Sequence, residues 1–337
     1  MRIALDAMGG DRGPDELVSG ALLAMRDTDV EVALVGDEAV LRSVLRAKGV
    51  TEGPRLSVVH ASQIVEMHDN PVDAIRRKKD SSILVACGLV ARGEAAAVVS
   101  AGHSGATLAA AVRKLGRLEG VSRPGLASFF PTMKKPVVLM DIGGNVDCRP
   151  RHLLQFAVMA AAFFSIHQRE NPRIGLLSIG EEAGKGNALI KEAYPLLSAS
   201  SLNFIGNVEG RDIFEGDVDV VVCDGFVGNI CLKISEGLAD AAMRMLGQEI
   251  RKLFWAKLGY LLVKPAFRAF KKRVDYVEYG GAPILGIDGV GLVCHGKSGA
   301  QTIKNAILVA NKMVVGGVNE RIRREISGVP VSEADDE

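Results

Sequence analysis

At 337 residues and 48% hydrophobic content, the chain can bury a large core as one α/β unit or as two domains. A formal charge of +1 excludes a global field for nucleic acid or membrane, so no nucleic-acid partner is expected. Five cysteines without a C-x-x-C pair, no leader ahead of MRIALDAMGGD and no run near the ~18–20 apolar residues of a span point to a cytoplasmic protein.

In chain order, strand signals fall at RIALDAMGGD (2–11), EVALVGDE (31–38), AAAVVSAGHSGA (95–106) and PVVLMDIGGNVD (136–147). They continue at RIGLLSIGEEAGKGN (173–187), LNFIGNVEG (202–210), VDVVVCDGFVGN (218–229) and GVGLVCHGKSGA (289–300). Each is a β-branched run that ends in a glycine-rich polar turn and is followed by an amphipathic helical stretch. Runs apolar at successive positions suit strands covered on both faces. The expected fold is a three-layer α/β/α body with a mainly parallel sheet over residues 1–325, with room for two lobes around a cleft. A helical excursion is expected at 238–279 and a disordered acidic tail at 326–337.

Ligands of open parallel sheets bind outside the carboxyl ends of the strands, where helix N-termini point. The turns are therefore expected to converge on one cleft. Candidate phosphate- or substrate-binding residues are Asp6, Gly9, Gly10, Gly102, Ser104, Gly105, Asn145, Gly184, Gly186, Asn187, Asn207, Gly228, His295, Gly296, Lys297 and Ser298. Candidate catalytic residues are His103, Lys185, Asp224 and Asn229. For any single turn, the plain alternative is that Gly and Asn merely serve a tight bend.

Gly102-His103-Ser104-Gly105 lacks the spacing of a nucleophile elbow. Ser104 is expected to cap the helix ATLAAAVRKL, with His103 as a general acid/base, a phosphate hydrogen-bonder or a structural residue. In GEEAGKGN, Gly184 and Gly186 let the backbone approach an anion while Lys185 adds charge; the alternative is a solvated loop lysine. Asn229 is placed just ahead of the helix ICLKISEGLADAAMRML as an amide donor, with Asp224 orienting donors. Gly291 to Ser298 spells a P-loop letter for letter, but Leu292-Val293-Cys294 reads as the strand itself, so nucleotide hydrolysis is not expected. No G-x-G-x-x-G follows a strand, and the six histidines lack metal-ligand spacing, so no metal is expected.

WAKLGYLLVKPAFRAFKK (255–272) stands apart. Between Arg251 and Tyr279 lie eight Lys/Arg, two Asp/Glu and seven of the sixteen aromatics. Pro265 should break a helix, giving a hairpin with Leu258–Val263 at or near its tip. Trp255, Leu258, Tyr260, Leu261, Leu262 and Val263 are expected to meet an anionic membrane surface. The alternative is a subunit interface.

DAMGGD (6–11), AIRRKKDSS (74–82), SAGHSGA (100–106), DIGGNVDCRP (141–150), GEEAGKGN (180–187), NFIGNVEGRDI (203–213), DGFVGNICLK (224–233), YGGAPILGIDG (279–289) and HGKSGA (295–300) together resemble the PlsX family of phosphate acyltransferases. The resemblance runs from Met1 to about residue 320 with the motifs in order. It implies an isocitrate-dehydrogenase-like fold, a homodimer and no metal or organic cofactor. It also implies acyl-phosphate formation from acyl-acyl-carrier-protein and inorganic phosphate for bacterial phospholipid synthesis. Family members commonly carry Asn-Thr where this chain has His103-Ser104, and Ser in place of Lys297. Peripheral membrane association and a membrane acyl-phosphate-using acyltransferase as partner follow as expectations. The alternatives are a phosphotransacetylase-like acyl-coenzyme A enzyme and a non-catalytic peripheral membrane module.

Overall fold

The computed structural model describes residues 1–168, 170–252, 254–274 and 280–328. The chain opens with β1 (Arg2–Asp6), α1 (Gly13–Asp27), β2 (Glu31–Gly36), α2 (Glu38–Ala47) and β3 (Leu56–His60). Then come α3 (Pro71–Arg77), α4 (Ser82–Ala91), β4 (Ala97–Ser100) and α5 (Ser104–Leu115). A hairpin of β5 (Gly125–Phe130) and β6 (Val137–Met140) leads into α6 (Pro150–Ser165), β7 (Ile174–Leu177), α7 (Ala188–Ser198) and β8 (Phe204–Val208). After α8 (Asp212–Glu215) and β9 (Val220–Val222) come two long helices, α9 (Gly225–Lys252) and α10 (Phe254–Val274). A second hairpin, β10 (Ala282–Leu285) and β11 (Val290–Val293), precedes α11 (Ala300–Val315) and α12 (Val318–Ile326).

All strands join one 11-stranded sheet, ordered β3-β2-β1-β4-β11-β10-β5-β6-β9-β7-β8. Seven of its pairings among the described residues are parallel, so the mainly parallel α/β expectation holds. Successive strand residues feed opposite cores. Ile3, Leu5, Ala97, Val99, Val138 and Met140 pack with α1, α6 and α11 on one face. Ala4, Val98, Val137 and Leu139 pack with α4 and α5 on the other. This is why β4, β6, β7, β9 and β11 are buried at every position. The edge strands β3 and β8 are only partly buried.

All eight strand runs read from the sequence are present, and β3, β5 and β10 are additions. The helical excursion begins at Gly225 rather than 238, and Pro265 lies inside α10 instead of separating two helices. Proline removes one backbone donor, but the helix continues on either side. α9 ends at Lys252 and α10 begins at Phe254; Leu253 and residues 275–279 lie outside the described residues. Leu258–Val263 therefore forms early turns of α10. The tail expected from 326 starts inside α12: Ile326 is buried beneath Gly120, while residues 329–337 lie outside the described residues.

Candidate active site

Strand direction divides the glycine-rich turns into two groups. β10 runs antiparallel to both β11 and β5, and β5 runs antiparallel to β6. Three reversals in succession leave β6, β7, β8 and β9 running opposite to β1, β4 and β11. The expected single cleft formed by all eight strand ends is thus replaced by two sets of turns. Among the described residues, no hydrogen bond or ion pair joins one set of candidate residues to the other.

The first group follows β1, β4 and β11. The buried Asp6 carboxylate accepts hydrogen bonds from the Met8 and Gly9 amides, at 3.3 and 3.2 Å, and from Ser100 Oγ at 2.7 Å. Gly9 lies so close to Gly102 that a Cβ would come within 2.8 Å of its amide nitrogen. Gly10, at φ 97°, passes the carbonyls of Ala101 and Gly296, and Asp11 N donates to Gly296 O at 2.7 Å. These glycines bring three backbones together where no side chain fits.

His103, not Ser104, caps α5. Its Nδ1 accepts from Gly105 N at 3.2 Å and Ala106 N at 3.5 Å, and Ser104 is the first helical residue. An accepting Nδ1 places the ring proton on Nε2. The imidazole does here what an Asn side chain does at an N-cap, so the Asn that the resemblance implies at this position would serve the same cap. At HGKSG, Lys297 N donates to His295 Nδ1 at 3.1 Å and Ser298 N to His295 O at 2.8 Å. The Ala300 amide at the start of α11 donates to Glu16 Oε2 at 2.7 Å, so a carboxylate of the chain already meets this helix end. Gly291 lies within β11, as the rejection of the P-loop match requires.

The second group follows β6, β9, β7 and β8. Asp141 repeats the device of Asp6. Its Oδ1 accepts from the amides of Leu126, Gly143 and Gly144, and its Oδ2 from the backbone and side-chain nitrogens of Asn145 at 2.7 and 2.8 Å. Burial pushes the Asp6 and Asp141 carboxyls up from the ordinary range, and the N–H and hydroxyl donors pull them back. The Asn145 amide also donates to Pro124 O at 2.8 Å, which commits it to the turn rather than to a ligand.

Asp224 is the cap of α9, accepting from Val227 N at 2.9 Å. The helix starts at Gly225, so Asn229 lies exposed in its second turn and not ahead of the helix as the sequence pattern predicts. Gly228 is buried against β6: a Cβ there would lie 1.9 Å from the Asp141 carbonyl oxygen. Across from it, a Cβ on Gly143, which has φ 131°, would lie 3.5 Å from Asn229 Oδ1. Asn229 therefore borders the Gly143 turn, whose positive φ favours glycine.

On the adjoining β7 and β8, the Lys185 amide donates to Glu182 O at 2.9 Å. Its exposed ammonium has no ion-pair partner among the described residues. Gly186 has φ 106°, and Asn187 caps α7 by accepting from Ile190 N at 3.0 Å. The buried Asn207 pins this loop through Nδ2 to Glu182 O at 2.9 Å, and its Oδ1 has no partner. Burial raises the thiols nearby: Cys148 to about 12, and Cys231 and Cys223 above their ordinary value. A thiol held protonated is a poor nucleophile. Among the described residues no cluster of His, Cys, Asp or Glu has a metal-holding arrangement.

Asp141, Ser100 and Glu16 were not singled out in the sequence. Asp141 had a signal, since DAMGG and DIGG both place an Asp at a strand end before paired glycines. Ser100 and Glu16 become visible only when β4 and α1 are set beside β1 and α11.

A family model described as fatty acid synthesis protein matches residues 1–321. The phosphate acyltransferase of Geotalea uraniireducens is 54% identical over 327 residues, covering 97% of this chain and 94% of that protein. The phosphate acyltransferase of Nitratidesulfovibrio vulgaris strain DP4 is 53% identical over 326 residues, covering 96% and 94%. Among solved structures, a phosphotransacetylase from Streptococcus pyogenes superposes with a TM-score of 0.67 at 18% identity, covering 94% of each chain. That last likeness concerns the fold alone.

Proposed function

The chain belongs to the fatty acid synthesis protein family, with phosphate acyltransferases as its relatives, and from that premise we propose that it converts acyl-acyl-carrier-protein and inorganic phosphate to acyl-phosphate and free carrier protein. The pathway it serves is phospholipid synthesis. The observation that carries this reading at the level of residues is Lys185, an unpaired ammonium framed by Gly184 and Gly186 in the loop after β7, a strand that pairs with β9, the strand leading to the exposed Asn229. Inorganic phosphate is already an anionic nucleophile near neutral pH, so the protonated cysteines need not take part. A phosphate oxygen attacks the thioester carbonyl and a tetrahedral oxyanion forms. The carbon–sulfur bond then breaks to release a thiolate, whose reference pKa near 8.5 makes it an adequate leaving group. Lys185 neutralises phosphate, the Asn229 amide donates to phosphate or the carbonyl oxygen, and the fixed turns supply positioning.

Two features of α9 and α10 support the remaining parts of the reading. Phe226, Ile230, Ile234 and Leu238 recur every fourth residue along α9 and are 57, 39, 62 and 67% exposed. Such an apolar stripe suits burial against a second copy of the chain. Near the start of α10, Trp255 and Leu262 are 77 and 83% exposed, and Lys264 and Arg268 have no acid partner among the described residues. The side chains of Leu258 and Leu261 lie outside the described residues. Rings and aliphatic groups beside cations suit an anionic bilayer surface, where an amphiphilic acyl-phosphate would be released to a membrane acyltransferase. Among the described residues no helix is long and apolar enough to cross a membrane.

Phosphate-dependent loss of the thioester, compared for carrier-protein and coenzyme A donors, tests the activity. Turnover of short acyl-coenzyme A alone would replace it with a phosphotransacetylase reaction. Leu261→Glu with Leu262→Glu should abolish sedimentation with anionic vesicles and leave phosphorolysis intact. A monomeric, inactive double variant would instead mark a subunit interface.

A further inference from the structure

AIRRKKDSS ends in Ser82, which hydrogen-bonds the Asp6 carboxylate of the first group of turns, but its four cations belong to neither group. It forms the end of α3, a short helix that packs beside α5. Pro71, the first residue of α3, lies next to the turn that begins α5: a Cβ on Gly105 would be 3.1 Å from Pro71 Cγ and 3.3 Å from His103 Cε1. At ~1.5 Å per residue the seven residues of α3 span ~10 Å, so the far end of α3 stands about that distance from the His103 turn. That far end is locked in place, since Arg113 of α5 donates to Ile75 O at 3.0 Å.

Of the four cations in the motif, Lys78 is structural: it pairs with Asp69 at 2.6 Å and donates to Ile64 O at 2.8 Å. Arg76, Arg77 and Lys79 are exposed, as are Arg113 and Lys114 beside them. None of the five has an ion-pair partner among the described residues. The acids of the segment do not cancel them. Asp80 accepts from Ser62 N and Oγ at 2.8 and 2.6 Å, and Asp73, one helical turn before Arg76 and Arg77, forms an ion pair with neither among the described residues. Val72, 52% exposed, stands one helical turn before Arg76 and adds an apolar contact to the same side.

We propose that this basic end of α3 and α5 is the docking surface for the acidic carrier protein that delivers the acyl thioester. The inference rests on the reading above that the donor is protein-borne. Exposed cations left unpaired by their own chain raise the encounter rate with an acidic partner and orient it. A thioester carried on a flexible prosthetic arm is delivered from a surface outside the glycine-rich turns, and this one lies beside the first group of turns, at His103. A flat anionic membrane would be served by the same charges, but the patch lies alongside the His103 turn and carries one exposed apolar side chain, which suits a small protein face better than a bilayer.

The test is steady-state phosphorolysis by the full-length enzyme, comparing wild type with Arg76→Glu/Arg77→Glu/Lys79→Glu. The reversal should raise KM for acyl-acyl-carrier-protein about tenfold or more and flatten its salt dependence. KM for phosphate and Tm should stay unchanged, and Arg76→Lys/Arg77→Lys should restore docking. An unchanged carrier-protein KM in the reversed variant overturns the inference. So does a variant whose only defect is lost binding to phosphatidylglycerol vesicles, which would assign the patch to lipid. If the wild type turns over acyl-coenzyme A but no carrier-protein thioester, the parent reading fails and this surface fails with it.

Discussion

Replacing Gly228 by alanine tests whether the contact between α9 and the end of β6 sets the site geometry. A Cβ at this position would sit 1.9 Å from the Asp141 carbonyl oxygen, 2.9 Å from its carbon and 3.0 Å from Cys223 Sγ. The nearest obstacle is the backbone of Asp141, the buried residue that follows β6 and is tied to its turn by the hydrogen bonds of its carboxylate, so it cannot yield cheaply. The separation must open from 1.9 Å to at least 3.0 Å, which moves the first turn of α9 by about 1 Å. Asn229 is the next residue, and a shift of that size lifts its amide away from the Gly143 turn. A misplacement of ~1 Å at a reacting centre costs about a hundredfold in rate. Overpacking in a dense core costs about 1–3 kcal/mol, which lowers Tm by several degrees. The expected outcome is therefore a kcat/KM for phosphorolysis reduced about a hundredfold well below a modestly lowered Tm. A variant with lowered Tm but wild-type kcat/KM would show that the contact holds the fold and not the site. A variant unchanged in both would refute the steric argument altogether.

Four further outcomes follow from the same geometry. Lys185→Ala should raise the phosphate requirement by the loss of about 2–4 kcal/mol of transition-state stabilisation, with Tm unchanged because the ammonium has no ion-pair partner; wild-type kinetics at low phosphate would remove Lys185 from the site. Asn229→Asp should impair turnover more than Asn229→Ala, because a carboxylate beside phosphate repels it; the reverse order would leave Asn229 a purely helical residue. His103→Asn should keep the cap of α5 while His103→Ala loses about 1 kcal/mol, seen in Tm, and a fall in kcat in His103→Asn alone would point to the Nε2 proton. His167 is held by burial at a pKa of about 4 against an ordinary 6.5; the unfolded chain takes up its proton first, so stability falls as pH drops from 6.5 to 4. His167→Phe, beside Phe129 and Phe163, should remove up to about 3 kcal/mol of that acid-side loss, and melts at pH 7 and pH 4.5 that fall equally in both proteins would count against it.

The sequence by itself determined the repeating unit of this protein. Eight apolar runs, each ended by glycine and polar residues, reappear as eight strands, and burial on both faces follows from their lack of alternation. Turn composition also identified the residues that cap helices and pack backbones, although it credited Ser104 with the cap that His103 provides and placed α9 after Asn229 instead of before it. A capping bond depends on which side chain reaches the free amides, and composition does not record that. The tertiary structure alone decided which turns share a site. β5 and β10 join the sheet through hairpins, and each pairs antiparallel with its neighbours, reversing the sense of half the sheet. GLASFF and APIL are short and apolar like their parallel neighbours, so nothing in their composition states their direction. Direction comes from the pairing partner, and the partner is chosen by how the helices cover both faces, a property of the assembled layers and not of any single segment.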